Sequence, residues 1–299
     1  MPVIKENVYS DLTIETLCYQ KTPQKDLTMS VFKPESWIAG DCRPAILFYF
    51  GGGFFKGNPS HFRMQAEYFA HLGMVTLTPD YRLTTLPGIT VKDCLLDSKS
   101  ALRYVIAHAE ELGIDPKRIV VAGGSAGGAM ASAAAMVNTL DERDESSVPC
   151  AMILYNPGIQ FSSLGSSFDG LSEDDTININ GKQEKIKDLK KKMPKFDDPE
   201  LETLSPMEYI RPGLPVTLLI QGEADRAVSV ESIKEFQRKM RAVGNDCELV
   251  VYPDRDHGFF NWNSSEEHIC YYDTLNLVED FLRRKQILNP GLRKKLLWE

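Results

Sequence analysis

The feature that most constrains the fold of this chain is a regular alternation of short apolar strands with longer helical segments. Residues 45–50 and 119–122 are uninterrupted apolar runs, typical of strands that are buried on both faces. Residues 91–112 have the periodicity of a helix, and Gly113 and Pro116 follow as residues that end helices. Alternating strands and helices need crossover connections, so they predict an α/β fold with a mostly parallel sheet covered by helices on both faces.

The same patterns predict an order of elements for most of the chain. Strands are predicted at 12–17, 27–32, 45–50, 74–78, 119–122, 151–155, 216–221 and 248–251. Helices are predicted at 60–72, 91–112, 126–139, 229–243 and 266–284.

The alternation fails at about 158–212. Part of this stretch, residues 182–195, contains seven lysines against Glu184 and Asp188, which we interpret mainly as a solvated helix face. The stretch lies between one predicted strand and the next, where a lid over the strand ends is commonly inserted. We therefore predict one domain over 1–299 with a cap-like insertion at about 158–212.

Composition and charge exclude several functional classes. The 299 residues are 42% hydrophobic and 25% charged, which is typical of a globular protein. A net charge of −8 argues against a nucleic-acid-binding protein, because such proteins need clustered basic charge. No apolar run approaches the roughly 20 residues that cross a bilayer, so we expect neither a membrane span nor a membrane partner.

The N-terminal residues have neither a basic region nor an apolar segment, so no signal peptide is predicted and the expected location is cytoplasmic. A secreted or periplasmic location is expected only if a leader has been removed. The six cysteines are scattered without a Cys-x-x-Cys pair, which favours reduced thiols. No cluster of His, Cys or Asp has the spacing of metal ligands, so we expect no metal and no cofactor.

A candidate nucleophile lies in the motif G-G-S-A-G-G at 123–128, between a predicted strand and a predicted helix. A sharp strand-to-helix turn needs small residues on each side of Ser125, so that the serine can adopt a strained conformation with its hydroxyl exposed. The N-terminus of the helix offers free N–H groups and a positive dipole end to a developing oxyanion. A Gly-rich phosphate loop is the alternative, but the P-loop Lys-Ser/Thr is missing.

A serine hydroxyl needs a base to take its proton, and a histidine is the usual one. The chain has five: His61, His71, His108, His257 and His268. Three of them lie in helical patterns, and His61 follows the first glycine loop but precedes the serine. His257 follows the last predicted strand, at the sheet edge where parallel sheets carry their chemistry. We therefore favour His257 as the base.

An acid must hold the tautomer of the histidine. Asp225 follows the preceding strand and is favoured, with Glu223 and Asp256 as alternatives. Asp256 adjoins His257 in sequence, which makes it difficult for its carboxylate to reach the ring. Residues 50–54, F-G-G-G-F, directly follow a buried strand, and their glycines would let backbone N–H groups approach a substrate oxygen as the other half of an oxyanion hole.

These motifs resemble the α/β-hydrolase superfamily and, within it, the hormone-sensitive-lipase-like esterases, over about residues 26–285. The order Ser, Asp, His and the triple glycine carry the likeness. The chain is most similar to bacterial carbohydrate acetylesterases, through the segments 50–54, 80–82, 97–103, 123–128 and 257–261.

The resemblance implies Ser125 as nucleophile, Asp225 as acid and His257 as base. It also implies oxyanion donors from the amides of Gly52, Gly53 and Ala126. One position departs from the family pattern, because Phe50 stands where a histidine usually precedes the three glycines.

The expected function is a cofactor-free serine ester hydrolase for a small-molecule or carbohydrate ester, with acetyl on a sugar as the first substrate to test. Alternatives are a general carboxylesterase, a serine peptidase or aminoacyl hydrolase on the same fold and, last, a non-catalytic binding protein. Four aromatic residues follow the motifs and are candidates for the substrate pocket or for ordinary core: Phe54, Phe55, Phe260 and Trp262. The sequence does not indicate the oligomeric state.

Overall fold

A computed structural model describes residues 12–140, 148–165, 172–179, 182–196, 198–262 and 268–289. Its centre is an eight-stranded sheet in the order β1-β2-β4-β3-β5-β6-β9-β10, and a separate two-stranded sheet is formed by β7 and β8. The strands are β1 Thr13–Lys21, β2 Asp26–Lys33, β3 Arg43–Tyr49, β4 Val75–Pro79, β5 Ile114–Gly124, β6 Ala151–Tyr155, β7 Thr176–Ile179, β8 Lys182–Lys185, β9 Val216–Gly222 and β10 Cys247–Tyr252.

The large sheet is parallel from β4 to β10 and antiparallel only where β2 pairs with β1 and β4. Strands β4 and β6 are buried along their whole length, and β6, A-M-I-L-Y, is accordingly a continuous apolar run, whereas β4 also buries two threonines. Two apolar clusters form the core. The predicted α/β fold, with a mostly parallel sheet and helices that connect its strands, is confirmed.

The helices connect the strands. They are α1 Arg63–His71, α2 Val91–Ala107, α3 Ala126–Met136, α4 Phe161–Gly165, α5 Ile186–Lys192, α6 Pro199–Glu202, α7 Val230–Ala242 and α8 Ile269–Arg284. Short 3₁₀ turns lie at Pro59–Phe62, Asn138–Leu140 and Pro206–Tyr209. None of the helices in the described segments is both long and apolar enough to cross a bilayer.

Some boundaries differ from the prediction. Helix α2 ends at Ala107 and not at 112, because the chain turns at His108 and reverses through Gly113, which has a φ of +66°. Strand β5 then starts at Ile114, earlier than predicted, and includes Pro116, which the sequence marked as a residue that ends the preceding helix. The pairing of β3 with β5 shifts register in this part, so the proline lies in an irregular segment of the ladder.

Helices α3 and α8 are shorter than predicted. Helix α3 ends at Met136 and not at 139, since the next residue has an extended backbone. Helix α8 begins at Ile269, and its predicted start at 266 lies outside the described residues.

The irregular stretch at 158–212 contains α4, β7, β8, α5 and α6. The hairpin of β7 and β8 was not predicted, because each strand has only four residues and β8, K-Q-E-K, is entirely polar. Helix α5 buries Ile186 and Leu189 against Phe55, the second residue after the triple glycine. Lysines 190–192 of this helix are exposed, as expected for a solvated face. The role of the stretch as a cap stays a prediction.

Helix α3 packs on the sheet through glycine. A Cβ atom at Gly127 would lie 2.0 Å from the carbonyl oxygen of Tyr49, and one at Gly123 would lie 2.2 Å from the carbonyl oxygen of Gly127. Backbone of the helix therefore touches backbone of β3 and β5, which leaves no room for side chains between them. This contact places the N-terminus of α3 at the carboxyl end of the central strands.

We expect Gly127→Ala to destabilise the fold strongly, because the new methyl group would meet backbone atoms that cannot move aside. Overpacking of a core costs about 1–3 kcal/mol, and a backbone obstacle places this variant at or above the upper end. The measurement is the free energy of unfolding in urea. Gly213→Ala is the control, since a Cβ there has open space and only a φ of +81° to accommodate, at a cost of roughly 1–2 kcal/mol. Equal losses in the two variants would contradict the packing argument.

Candidate active site

Ser125 lies at the turn between β5 and α3 with φ 57° and ψ −121°, a region that non-glycine residues rarely adopt. Its N–H donates to the carbonyl oxygen of Tyr155 at 2.9 Å. Its own carbonyl oxygen accepts from the N–H of Ala129 at 3.0 Å and from that of Gly158 at 3.2 Å. These bonds hold the strained turn, and Ser125 is half-buried while its immediate neighbours are buried.

Asp225 and His257 are in direct contact. Nδ1 of His257 lies 2.8 Å from Oδ2 of Asp225, although the two residues are 32 positions apart in sequence. They follow β9 and β10, which are parallel neighbours with Gly222 paired to Tyr252, so both loops leave the same edge of the sheet. The side chain of Asp225 is inaccessible to solvent, while that of His257 is 17% exposed.

The carboxylate of Asp225 is surrounded by hydrogen-bond donors. Oδ1 accepts from the backbone N–H groups of Ala227 at 2.8 Å and Val228 at 2.9 Å. Oδ2 accepts from His257, from Gln221 at 3.0 Å and from Asn156. Burial opposes ionisation of this group, but the charge of His257 and these hydrogen bonds outweigh it and lower the pKa of Asp225. The carboxylate is therefore ionised at neutral pH.

Burial of the His257 ring favours its neutral form, but the charges of Asp225 and Asp256 and the hydrogen bond to Asp225 raise its pKa overall. An ionised Asp225 can only accept, so the Nδ1 of a neutral His257 carries the proton. Nε2 is then the ring nitrogen with a free lone pair, which is the arrangement that a general base requires.

The two alternative acids do not contact the ring. The carboxylate of Asp256 accepts from the backbone N–H of His257 at 2.7 Å and pairs with the guanidinium of Arg226 at 2.6 Å. Glu223 is exposed, and its N–H donates to the carbonyl oxygen of Tyr252. Of the three carboxylates considered, Asp225 is the one hydrogen-bonded to the imidazole.

Adjacent residues at the end of β6 join the serine turn to Asp225. Tyr155 accepts the hydrogen bond from the N–H of Ser125, and the side chain of Asn156 donates to Asp225. The N–H of Asn156 donates to the carbonyl oxygen of Ile220 in β9 at 2.8 Å, and its φ of 44° departs from that of a strand. The three candidate residues are thereby brought to one edge of the sheet.

The glycine loop lies beside Ser125, since a Cβ at Gly51 would be 3.3 Å from the Cβ of the serine. Gly52 and Gly53 have φ values of +128° and +62°, and the carbonyl oxygen of Gly52 accepts from two N–H groups further along the loop. Within the described residues, the N–H groups of Gly52 and Gly53 donate to no protein atom. Ala126 is the first residue of α3, so its N–H has no partner within the helix. The three amides stay candidates for oxyanion donors.

Phe50 replaces the expected histidine, and its ring stacks on that of Tyr81 at 4.0 Å between centroids. The hydroxyl of Tyr81 also donates to the carbonyl oxygen of Phe50 at 3.1 Å. Further along the loop, the N–H of Thr84 donates to the carbonyl oxygen of Phe54 at 2.9 Å. Residues 81–84 therefore hold the start and the end of the glycine loop.

The four aromatic candidates occupy different surroundings. Phe54 faces Phe161 and Phe196 of the irregular stretch, with ring centroids 6.2 and 6.1 Å away, and Phe55 packs on α5. Phe260 belongs to a different apolar core cluster from Phe54, and its ring lies against Gly124. Trp262 stacks on the ring of His268 at 3.6 Å. A role of each of these side chains in substrate binding stays a prediction.

Sequence reasoning missed Asn156 and Gln221, the two amides that bind Asp225. The side-chain oxygen of each is buried without a hydrogen-bond partner in the described part of the chain. An unpaired buried oxygen is unfavourable, so both amides direct their N–H groups to the carboxylate at a cost in stability. A polar residue within or just after a buried strand was the available signal. The residues that the structure describes contain no group of three or more His, Cys, Asp or Glu side chains that could hold a metal ion.

We expect Asp256→Asn to lower the pKa of His257, because the substitution removes one of the negative charges that raise it. The pKa is measured by NMR from the titration of the imidazole Cε1 proton. Glu223→Gln removes an exposed carboxylate that is not bonded to the ring, and it should leave the titration unchanged. A His257 pKa that stays constant or rises in Asp256→Asn would contradict this account of its electrostatics.

Comparison with known proteins finds two family models and several esterases that are similar to this chain. The BD-FAE family model matches residues 29–240, and the dienelactone hydrolase family model matches residues 207–286. Esterase LipU of Mycobacterium tuberculosis is 28% identical over 74% of this chain and 72% of its own length. A probable isoprenylcysteine alpha-carbonyl methylesterase of Arabidopsis thaliana is 23% identical over 72% of this chain and 45% of its own. The chain spans half or less of the length of the first curated relatives that it matches.

Solved structures of an esterase are similar to this protein over nearly its whole length. Esterase 2 of Thermogutta terrifontis phosphorylated by paraoxon is 37% identical, covers 93% of this chain and 96% of its own, and has a TM-score of 0.77. The same esterase with propionate bound is 38% identical, with 92% and 96% covered and a TM-score of 0.77. The chain therefore belongs to the BD-FAE family, within the serine esterases of the α/β-hydrolase fold.

Proposed function

We propose that this protein hydrolyses carboxylic esters with short acyl groups, with Ser125 as nucleophile, His257 as base and Asp225 as acid. The observation that carries the proposal is the contact of 2.8 Å between His257 and a buried, ionised Asp225, at the sheet edge where Ser125 occupies a strained turn. A hydroxyl becomes a nucleophile when such an oriented imidazole takes its proton.

In the proposed mechanism, Nε2 of His257 takes the proton of Ser125 as Oγ attacks the ester carbonyl. The oxygen of the tetrahedral intermediate accepts from the amides of Gly52, Gly53 and Ala126. The carbon–oxygen bond to the alcohol breaks, and His257 gives its proton to the departing alcohol. A water molecule then loses a proton to His257 and attacks the acyl carbon. The bond between this carbon and Oγ breaks, His257 returns its proton to Oγ, and the acid is released. One oxyanion donor is typically worth about 2.7–4 kcal/mol of barrier.

Two observations support a short acyl group. The ring centroids of Phe161 and Phe196 lie 6.2 and 6.1 Å from that of Phe54, the residue that follows the glycine loop. An acyl pocket walled by these three rings would have little depth for a long chain. Esterase 2 of Thermogutta terrifontis has been solved with propionate and with butyrate bound. An acetylated carbohydrate is the substrate we propose to test first, on the resemblance of the motifs to carbohydrate acetylesterases.

We expect Ser125→Ala to lower kcat by about 10⁶-fold and His257→Ala to do nearly the same, because the pair acts as a unit. Asp225→Asn should cost less, about 10⁴-fold, since the serine–histidine pair remains. Rates are measured with p-nitrophenyl acetate, and a fluorophosphonate should label the wild type but not Ser125→Ala. Circular dichroism checks that each variant is folded. Normal turnover in Ser125→Ala would rule out the mechanism.

The acyl range is tested with p-nitrophenyl esters from acetate to decanoate. We expect kcat/KM to fall steeply beyond butyrate, and Phe196→Ala to move the decline to longer chains by removing one ring of the wall. Acetylated sugars are then assayed for released acetate. A kcat/KM that stays constant or rises with acyl length would contradict a short acyl site. If no acetate is released from acetylated sugars, the assignment is restricted to a general carboxylesterase.

A further inference from the structure

His61 links two loops of the site that are distant in sequence. Its Nδ1 accepts the N–H of Gly51, the first glycine of the triple-glycine loop, at 3.1 Å. Its Nε2 lies 2.6 Å from Oδ1 of Asn261, a residue 200 positions further along the chain. Asn261 is itself tied to the carbonyl oxygen of Gly258, which accepts from its backbone N–H at 3.0 Å and from its side-chain N–H at 2.9 Å. Gly258 directly follows His257.

The hydrogen bonds allow one assignment of protons. A backbone N–H can only donate, so Nδ1 of His61 must be the acceptor and the ring proton is on Nε2. Nε2 then donates to the oxygen of the Asn261 amide, which directs the nitrogen of that amide to Gly258, as the geometry shows. Burial lowers the pKa of His61 to about 4, so the ring is neutral at the pH of an assay. Since both ring nitrogens are occupied, His61 cannot take the proton of Ser125.

We propose that His61 is a positioning residue, which fixes the glycine loop relative to the loop of His257 so that the oxyanion donors and the base face the same substrate atom. The proposal rests on the function proposed above. His61 needs no contact with substrate for this role. Its loss should therefore weaken transition-state stabilisation and leave substrate binding almost unchanged.

The test compares kcat and KM of His61→Ala, Asn261→Ala and the double variant with p-nitrophenyl acetate. We expect kcat of His61→Ala to fall about 10–100-fold, the size of effect produced by a displacement of about 1 Å, with KM within about twofold of wild type. The double variant should be no slower than His61→Ala, because both substitutions break the same link. His61→Asn should recover part of kcat, since its amide oxygen can accept the N–H of Gly51.

His108→Ala is the matched control. This histidine bonds the carbonyl oxygen of Tyr104 at the end of α2, and we expect its removal to leave both kcat and KM unchanged. The fraction of competent sites in every variant is counted by fluorophosphonate titration, so that a loss of folded protein is not read as a loss of kcat. If His61→Ala does not fold, Asn261→Ala and His61→Asn carry the same test.

Several results would overturn the proposal. They are an unchanged kcat in His61→Ala, a rise in KM that accounts for the loss, or effects of His61→Ala and Asn261→Ala that add in the double variant. A wild type that neither hydrolyses esters nor reacts with fluorophosphonate would overturn the proposed function as well. An active wild type with an equally active His61→Ala would overturn the role of His61 alone.

Discussion

The direct contact between the backbone of α3 and the strands beneath it is the constraint on which the site depends. Because Gly123 and Gly127 have no side chains, the helix begins as soon as β5 ends, and the chain must reverse within Ser125. The resulting positive φ is unfavourable for serine, and it persists because three backbone hydrogen bonds hold the turn. The same reversal places the first N–H groups of the helix beside the serine. The position of the proposed nucleophile and that of the amides proposed to bind the oxyanion therefore come from one packing contact.

The second requirement is a charge that is kept inside the protein. Asp225 is buried, and removing a carboxylate from water is expensive unless donors replace the solvent. Five N–H groups do so, two from the backbone and three from the side chains of Asn156, Gln221 and His257. Two of those side chains leave an oxygen unpaired, so the surroundings favour the carboxylate over their own hydrogen bonding. The packing of α3 on the sheet therefore sets the position of Ser125, whereas the charge of Asp225 sets the orientation of the His257 ring.

Much of this arrangement could be predicted from the sequence, and the exceptions have physical reasons. Strands β3 and β6 appear in the sequence as apolar runs because they are buried, and the small residues around Ser125 are those that its sharp turn requires. The start of β5 was placed at residue 119 and not at Ile114, because the irregular pairing around Pro116 cannot be recognised from one strand alone. Asn156 and Gln221 were missed as partners of Asp225, since a single polar residue carries no periodic signal. His61 was considered as a base, but its contact with Asn261, 200 positions away, has no signal in the sequence. The hairpin of β7 and β8 was missed because four-residue strands are too short for a clear pattern and β8 has no apolar residue.

The link between His61 and Asn261 has a consequence for how the molecule folds. It joins residues 200 positions apart, and both the serine turn and Asp225 come from segments between them. Contacts between distant segments require most of the chain-closure entropy to be lost first, so they form late in folding. The site therefore has no local nucleus of its own and becomes complete only when the central sheet is complete. Partial unfolding at either end of this span disconnects the site while most of the sheet is still paired.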